Sequence, residues 1–199
     1  MRRLLFCIVF LFPLLCYGQE NGPGLNIKWG VQSSFDINMP GNWTSFSKSH
    51  INMSYGGSVG GLMNFSWPSA WYVESGVSLN FDDLKLSEDA EWSRFSMSMP
   101  IVAGHKFDIM DRLIIAPLAG CELSCGLADH RFKTHNDFPD GNYELNRFNV
   151  AWGIGFEIFR DNFAIGVMSY LGLLEMSKPK YRGSTYYDNK SKVSLKYYF

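Results

Sequence analysis

Eight segments of the sequence alternate apolar with polar side chains, and this period of two constrains the fold more than any other feature. In the last segment, KVSLKYYF, the apolar side is formed by Val193, Leu195, Tyr197 and Phe199. Successive side chains of a β-strand point to opposite faces, so each segment predicts a strand with one apolar face. The predicted strands span about residues 25–37, 51–66, 70–82, 92–107, 112–127, 143–159, 162–174 and 190–199.

The connections between the predicted strands alternate in length. Long connections fall at about residues 38–50, 83–91, 128–142 and 175–189, and short ones at 67–69, 108–111 and 160–161. All long connections therefore lie at one end of the array, and both chain termini lie at the short-turn end. An even number of antiparallel strands with this asymmetry is typical of bacterial outer-membrane barrels.

The first 18 residues have the layout of a secretory signal peptide. A basic start, Met1–Arg3, precedes an apolar run, Leu4–Leu15, and small Gly18 precedes the predicted cleavage point. That run would span about 18 Å as a helix, against about 30 Å of bilayer hydrocarbon. The alternative is a lipidated Cys16, although the preceding Leu15 is bulky for that role. Residues 19–199 then form one predicted domain.

Charge and cysteine usage exclude several classes of function. Loss of Arg2 and Arg3 with the signal peptide changes the net charge from −1 to −3, so the chain has no basic footprint for nucleic acid. Cys121 and Cys125 lie four apart in a strand-like segment, about 13 Å from each other. That separation predicts two free thiols and no disulfide, and the pair alone does not indicate a metal site.

The distribution of side chains separates a membrane barrel from a soluble secreted barrel or sandwich. The polar faces are rich in glycine and serine, which suits a narrow, crowded interior better than a solvated surface. Aromatic residues predicted to form a girdle at the short-turn rim are Trp67, Trp71, Phe107, Phe159, Phe163 and Phe199. We therefore predict an all-β, eight-stranded, antiparallel up-and-down transmembrane β-barrel. Pro100 and Pro117 fall inside strands and predict β-bulges.

Charged residues of both signs fall on the predicted inner face. They are Lys28, Asp36, Glu74, Arg94, Lys106, Arg112, Glu122, Arg147, Glu157, Lys192 and Lys196. The interior of an eight-stranded barrel is just wide enough for side chains to fill, and buried charges need partners. These residues predict a paired plug, with a selective pore as the alternative.

Four histidines raise the alternative of an enzyme that modifies lipids. His50, His130 and His135 fall in or beside the long loops, and His105 has the parity of the apolar face near the short-turn rim. No spacing matches a nucleophile elbow, a zinc motif or a calcium loop, so we predict no catalytic, cofactor or metal site.

Two predicted loops carry opposite charge. The second is acidic, with Asp82, Asp83, Glu88, Asp89 and Glu91. The fourth is basic and aromatic, with Lys178, Lys180, Tyr181, Arg182, Tyr186, Tyr187, Lys190 and Lys192. A solvated loop is the simplest interpretation, and contact with lipopolysaccharide phosphates or a protein partner is the alternative.

The chain resembles the Gram-negative outer-membrane β-barrel families, in particular small OmpX/OmpW-like barrels and PorT-like proteins. The resemblance covers nearly all of residues 19–199 as a pattern of strands. Its most specific element is the terminal Phe199 with alternating apolar residues before it, which in such families is read by the barrel-assembly machinery. The resemblance implies an integral outer-membrane protein in contact with membrane lipid and lipopolysaccharide.

The predicted role is structural, adhesive or secretion-accessory, exerted through the extracellular loops and without catalysis. The alternatives are a lipid-modifying enzyme and a small-solute porin. Barrels of these families serve many functions, so the fold itself does not select among them.

Overall fold

A computed structural model describes residues 24–39, 53–87, 90–134, 144–178 and 187–199. In these residues eight long strands form one closed antiparallel barrel. They are β1 (Asn26–Asn38), β2 (Ser54–Ser66), β3 (Trp71–Ser87), β4 (Ala90–His105), β5 (Leu113–Thr134), β6 (Phe148–Arg160), β7 (Phe163–Gly172) and β8 (Lys190–Tyr198). Phe107–Met110 continues beside β5, and Glu144–Leu145 pairs with Ser177–Lys178. No helix in the described ranges has the length and apolarity to cross a membrane.

The barrel closes between its first and last strands, as the alternation predicts. Every other strand pairs with its neighbours in the chain, and β1 pairs with β8 from Gly30↔Tyr198 to Asn38↔Lys190. At the end of the chain the backbone N–H of Phe199 donates to the Trp29 carbonyl over 2.9 Å. The predicted fold class is confirmed. The predicted signal peptide lies outside the described residues.

Three strands extend further than the sequence predicts. β3 runs to Ser87 and β4 starts at Ala90, so most of the predicted second loop is a hairpin. β5 continues to Thr134, whereas β6 starts at Phe148, five residues after its predicted start. These extensions depend on cross-strand pairing of polar residues, whereas a polar sequence taken alone indicates a loop.

The two prolines within strands do not mark bulges, and that prediction is wrong. On both sides of Pro100 the register between β3 and β4 is the same, with two cross-strand pairs missing beside it. Opposite Pro117, the pairing of β4 with β5 ends at Gly104. Pairing with β5 begins again at Phe107, in the same register. Proline lacks a backbone N–H, so it opens a gap in the ladder without needing an extra residue. The register shifts lie elsewhere, at Lys85/Ser87, Glu91/Trp92, Phe95/Ser96 and Asp108/Met110.

Aromatic side chains form the predicted girdle at the short-turn rim, with one exception. Those exposed there are Trp67, Trp71, Phe107, Phe163 and Phe199. Phe159, also assigned to the girdle, is only 7% exposed and lies inside the barrel, because it shares the parity of Glu157 on β6. His105 lies on the outer wall as predicted, with its ring centroid 5.0 Å from that of Trp71 and 4.6 Å from that of Phe107.

A second set of exposed aromatic residues lies at the opposite end of the outer wall. It comprises Phe35, Tyr55, Phe81 and Phe148, with half-buried Phe95 beside Phe81. On β3 the two sets are ten residues apart, between Trp71 and Phe81. Ten residues span about 33 Å along a strand, or roughly 25 Å of height at a tilt of about 40°. That is the height of the lipid-facing band of outer-membrane barrels.

Glycines on the inner face make room for large side chains, most clearly at Gly104. A Cβ placed there would lie 2.5 Å from the Tyr72 ring, which is buried and hydrogen-bonded to Glu157. We expect Gly104→Ala to lower the free energy of unfolding by about 1–3 kcal/mol. Urea unfolding of refolded protein, read by heat-modifiable gel migration, measures this. Gly61→Ala is the matched control, because its nearest neighbour atom would be 4.0 Å away. Equal stability of the two variants would contradict this packing.

Candidate functional site: the filled interior and the protruding sheet

The half of the interior nearer the short turns is organised around one lysine. Lys196 on β8 forms ion pairs with Glu74 of β3 and Glu157 of β6. The Tyr72 hydroxyl donates to Glu157 over 2.8 Å, and the Tyr198 hydroxyl donates to Glu74 over 2.5 Å. All five side chains are buried. The two carboxylates therefore share one ammonium, and each receives a further hydrogen bond from a phenol.

An aromatic layer closes the short-turn end of the barrel below this lysine. The ring centroids of Tyr72 and Phe159 are 5.7 Å apart, and those of Phe159 and Tyr198 are 6.1 Å apart. The aliphatic side chains packed with them are Leu62, Ala116 and Ala164. Lys106 Nζ lies 5.1 Å from the ring centroids of both Tyr72 and Phe159, within the range of a cation–π interaction.

The half of the interior nearer the long loops has the inverse arrangement. Glu122 on β5 accepts from Lys190 and from Lys192, the latter over 2.8 Å. Lys192 Nζ also lies 3.8 Å from Asp36 Oδ2 and 3.4 Å from Asn80 Oδ1. One carboxylate thus joins two lysines of β8, and a second carboxylate lies close to one of them.

The described parts of two long loops fold over the outer mouth of the barrel. Arg94 inside the wall donates to Asp129 and to the Asn146 carbonyl, each over 2.8 Å. The Asn146 N–H donates to the Met176 carbonyl over 2.6 Å, beside the short ladder of Glu144–Leu145 with Ser177–Lys178. Apolar side chains buried at this end are Leu84, Trp92, Leu145 and Met176.

The space left between the two charged clusters is small. A cavity of about 40 Å³ is lined by residues that include Glu74, Glu122, Tyr170, Lys192 and Lys196. One water needs about 10–15 Å³ of such volume, so the cavity holds only a few. Over the described residues, side chains fill the interior between the two charged clusters apart from this cavity.

Most of the charged residues predicted to face the interior do so. Those buried are Asp36, Glu74, Arg94, Glu122, Glu157, Lys192 and Lys196, and Lys106 is half-buried. Lys28, Arg112 and Arg147 are exposed, so their predicted interior placement is wrong. Arg112 lies in the turn between strands with a φ of 67°, and Lys28 and Arg147 lie near strand ends, where the side chains reach solvent.

Three interior residues were not predicted to face inward, because they fall in stretches whose composition indicates a charged loop. Asp82, Asp188 and Lys190 are all buried. The parity of Lys190 matches that of Lys192 and Lys196, so alternation alone was sufficient to find it. Asp82 likewise continues the inward parity of Asn80.

The remaining predicted loop and site residues are scattered or lie outside the described ranges. His130 is exposed on the outer face of β5, whereas His50 and His135 lie outside the described residues. Cys121 and Cys125 are free thiols, as predicted. Among the described residues, no three His, Cys, Asp or Glu side chains are placed to hold a metal ion. Loop residues outside the described ranges are Glu88, Asp89, Lys180, Tyr181, Arg182 and Tyr186.

A three-stranded sheet projects from the barrel at the long-loop end. β3 continues six residues past Phe81, paired with β4, and β4 in turn pairs with β5 as far as Thr134. The last residue of β5 that pairs with β6 is Cys125. Within the described part of the chain, the far side of β5 from Leu127 to Thr134 therefore pairs with no strand. We call residues 82–87, 90–95 and 127–134 the protruding sheet.

Comparison with solved structures supports the fold. Neisserial surface protein A is 10% identical, with a TM-score of 0.52, and the match covers 87% of this chain and 99% of that one. The outer membrane enzyme PagL is 13% identical with a TM-score of 0.49, covering 83% and 98%. Ail, the attachment invasion locus protein of Yersinia pestis, is 11% identical with a TM-score of 0.45, covering 86% and 98%. No protein-family model and no curated protein matches the sequence.

At 10% identity, the likeness to Neisserial surface protein A shows the fold and nothing about activity. The closed ladder, the exposed apolar band between two aromatic sets and the polar, side-chain-filled interior are the features of a transmembrane barrel. The chain is thus an integral barrel of the bacterial outer membrane, as the sequence predicts.

Replacement of Lys196 tests the charged cluster in the half of the interior nearer the short turns. Lys196→Met leaves Glu74 and Glu157 buried without their shared ammonium, so we expect it to lower the free energy of unfolding by about 3–5 kcal/mol. Adding Glu157→Gln to that variant should restore part of the loss. Urea unfolding of protein refolded in vesicles measures both. Lys28→Met, at an exposed lysine of the same parity, is the control, and a loss no greater than the control's would refute the pairing.

Proposed function

We propose that this protein is a non-enzymatic outer-membrane barrel that binds a partner protein at the cell surface through its protruding sheet. The filled interior favours this role over that of a porin, because a cavity of about 40 Å³ offers no solute path in the described residues. The strands that lengthen the wall beyond the outer aromatic set do nothing to span the membrane. Their extension therefore needs another explanation, and partner binding supplies one.

The edge of β5 that pairs with no strand in the described residues carries the proposal. An unpaired strand edge presents a row of backbone N–H and C=O groups, onto which an extended segment of another protein can add as a further strand. Eight residues, Leu127–Thr134, would offer about 26 Å of such an edge. Binding of this kind draws its affinity from the backbone and its selectivity from neighbouring side chains.

The hydrogen bond made by Ser93, which lies opposite His130 on the neighbouring strand, favours a non-enzymatic role. Ser93 Oγ donates its proton to Asp83 over 2.5 Å. A nucleophilic serine instead needs its proton directed at a general base such as an imidazole. The lipid-modifying alternative would require His130, opposite Ser93 in register, to displace Asp83 as that proton's acceptor.

Shortening the protruding sheet tests the proposal. We expect replacement of Leu84–Trp92 by an Asn-Gly turn to leave a barrel that inserts and migrates heat-modifiably, since the removed residues lie beyond the outer aromatic set. A deletion strain is assayed for adhesion, secretion and envelope integrity. The shortened variant should not restore the property, among these three, that the wild-type gene restores. Leu127→Lys, which adds a further charge at the start of this edge, should fail as well.

Leu173→Lys is the matched control, because Leu173 is exposed to 50% and Leu127 to 49% on different parts of the wall. Full restoration by the shortened variant would contradict the proposal. Loss of function in Leu173→Lys equal to that in Leu127→Lys would contradict it too, because a general effect of the added charge would then suffice.

We also propose that Phe199 is read by the barrel-assembly machinery. Its side chain is 69% exposed, and the bond that fixes this residue to Trp29 is made by its backbone. Phe199→Ala should therefore refold in detergent like the wild type but reach the outer membrane of cells in several-fold lower amount. Phe163→Ala, at another exposed residue of the same rim, is the control. Equal cellular levels of all three proteins would contradict the proposal.

A further inference from the structure

Three polar side chains form a row across the outer face of the protruding sheet. Asp83 of β3 is opposite Ser93 of β4, and Ser93 is opposite His130 of β5. The Ser93 hydroxyl donates to Asp83 Oδ1 over 2.5 Å. Asp83 and His130 are exposed. Three neighbouring strands thus present a carboxylate, a hydroxyl and an imidazole side by side on the outside of the wall.

The backbone that carries this row is held from inside the barrel. The Asp83 carbonyl accepts from Asn38 Nδ2 over 3.2 Å and from Ser54 Oγ over 2.5 Å. On the next strand Arg94, adjacent to Ser93, is buried and paired with an aspartate of β5. Because the inward residues are fixed, the outward residues of the same strands keep their positions, so the row is preorganised.

Aromatic rings lie directly below the row, on the side toward the membrane. Phe81 and Phe95 are opposite each other two residues from Asp83 and Ser93, with ring centroids 4.7 Å apart. With Tyr55 of β2 they line a groove of about 620 Å³ that also contacts all three residues of the polar row. A volume of this size is in the range of small-molecule sites, which combine an apolar lining with a few polar groups.

The height of the groove in the membrane indicates its ligand. Phe81 and Tyr55 belong to the outer aromatic set, and aromatic belts lie at the boundary between acyl chains and headgroups. The polar row is therefore at headgroup level, with rings below it at the level of the upper acyl chain. The carboxylate of Asp83 accepts hydrogen bonds from hydroxyl or amide groups.

We propose that this groove binds a glycolipid of the outer leaflet, with sugar hydroxyl or amide groups on the Asp83–Ser93–His130 row and an acyl chain across Phe81 and Phe95. The geometry selects a sugar headgroup over a phospholipid headgroup, because three polar side chains on neighbouring strands, about 4.8 Å apart, can bond several sugar hydroxyls, whereas an ethanolamine headgroup offers one ammonium. The site uses the outer face of the protruding sheet and not its open edge. It is therefore independent of the binding of a partner protein.

Retention of lipid by the purified barrel tests this site. Protein in mild detergent is mixed with increasing amounts of rough lipopolysaccharide, and bound lipid is counted by native mass spectrometry. We expect saturable binding, reduced at least five-fold in Asp83→Ala/Ser93→Ala and reduced again when Phe95→Leu is added. Phosphatidylethanolamine with acyl chains of similar length should be retained at least five-fold less than lipopolysaccharide by the wild type.

Ser169→Ala/Ser191→Ala is the matched control, because these serines form an exposed pair with Oγ atoms 3.2 Å apart on β7 and β8. It should retain lipopolysaccharide like the wild type. Heat-modifiable migration establishes that each variant is folded before it is scored. Undiminished retention by folded Asp83→Ala/Ser93→Ala, or equal retention of both lipids by the wild type, would overturn the proposal. Neither result depends on a partner protein.

Discussion

The rest of this structure depends on one constraint, which is that lipid offers no hydrogen-bond partner to a backbone N–H or C=O group. The ladder between β1 and β8 meets that constraint by closing the sheet, and it runs to the last residue, whose N–H bonds to Trp29. Closure with eight strands leaves an interior just wide enough for side chains. The polar faces of all strands are therefore forced into contact with one another.

The closing strand supplies the positive charge that this narrow interior requires. Lys190, Lys192 and Lys196 all lie on β8, and their carboxylate partners Glu74, Glu122 and Glu157 lie on three other strands. Three ammoniums thus meet three carboxylates. A slip of β8 by two residues would keep its apolar face toward lipid but move a serine to the level of the Lys196 cluster. The charges therefore distinguish registers that the apolar pattern alone does not.

Alternation in the sequence predicts those features of the fold that are determined within a single strand. It predicts the eight strands and their inner and outer faces. It does not predict that Tyr72 meets Glu157, 85 residues away, because the residues that face each other across a barrel depend on tilt and stagger. It also missed the protruding sheet, since residues such as Asp83 and Glu91 have loop composition, and their strands are defined by pairing with the neighbouring strands.

A filled interior moves the candidate functional surfaces to the outside of the barrel. Most proteins cover or charge an open strand edge, because it is a template for aggregation, and the sequence of this edge, LADHRFKT, contains charges of both signs. Here the edge of β5 stands above the outer aromatic set, on a barrel whose orientation the membrane fixes. Only molecules at the cell surface can reach it, so the hazard of indiscriminate pairing is limited by location. An open edge in that position is better explained as a binding surface than as a defect of the fold.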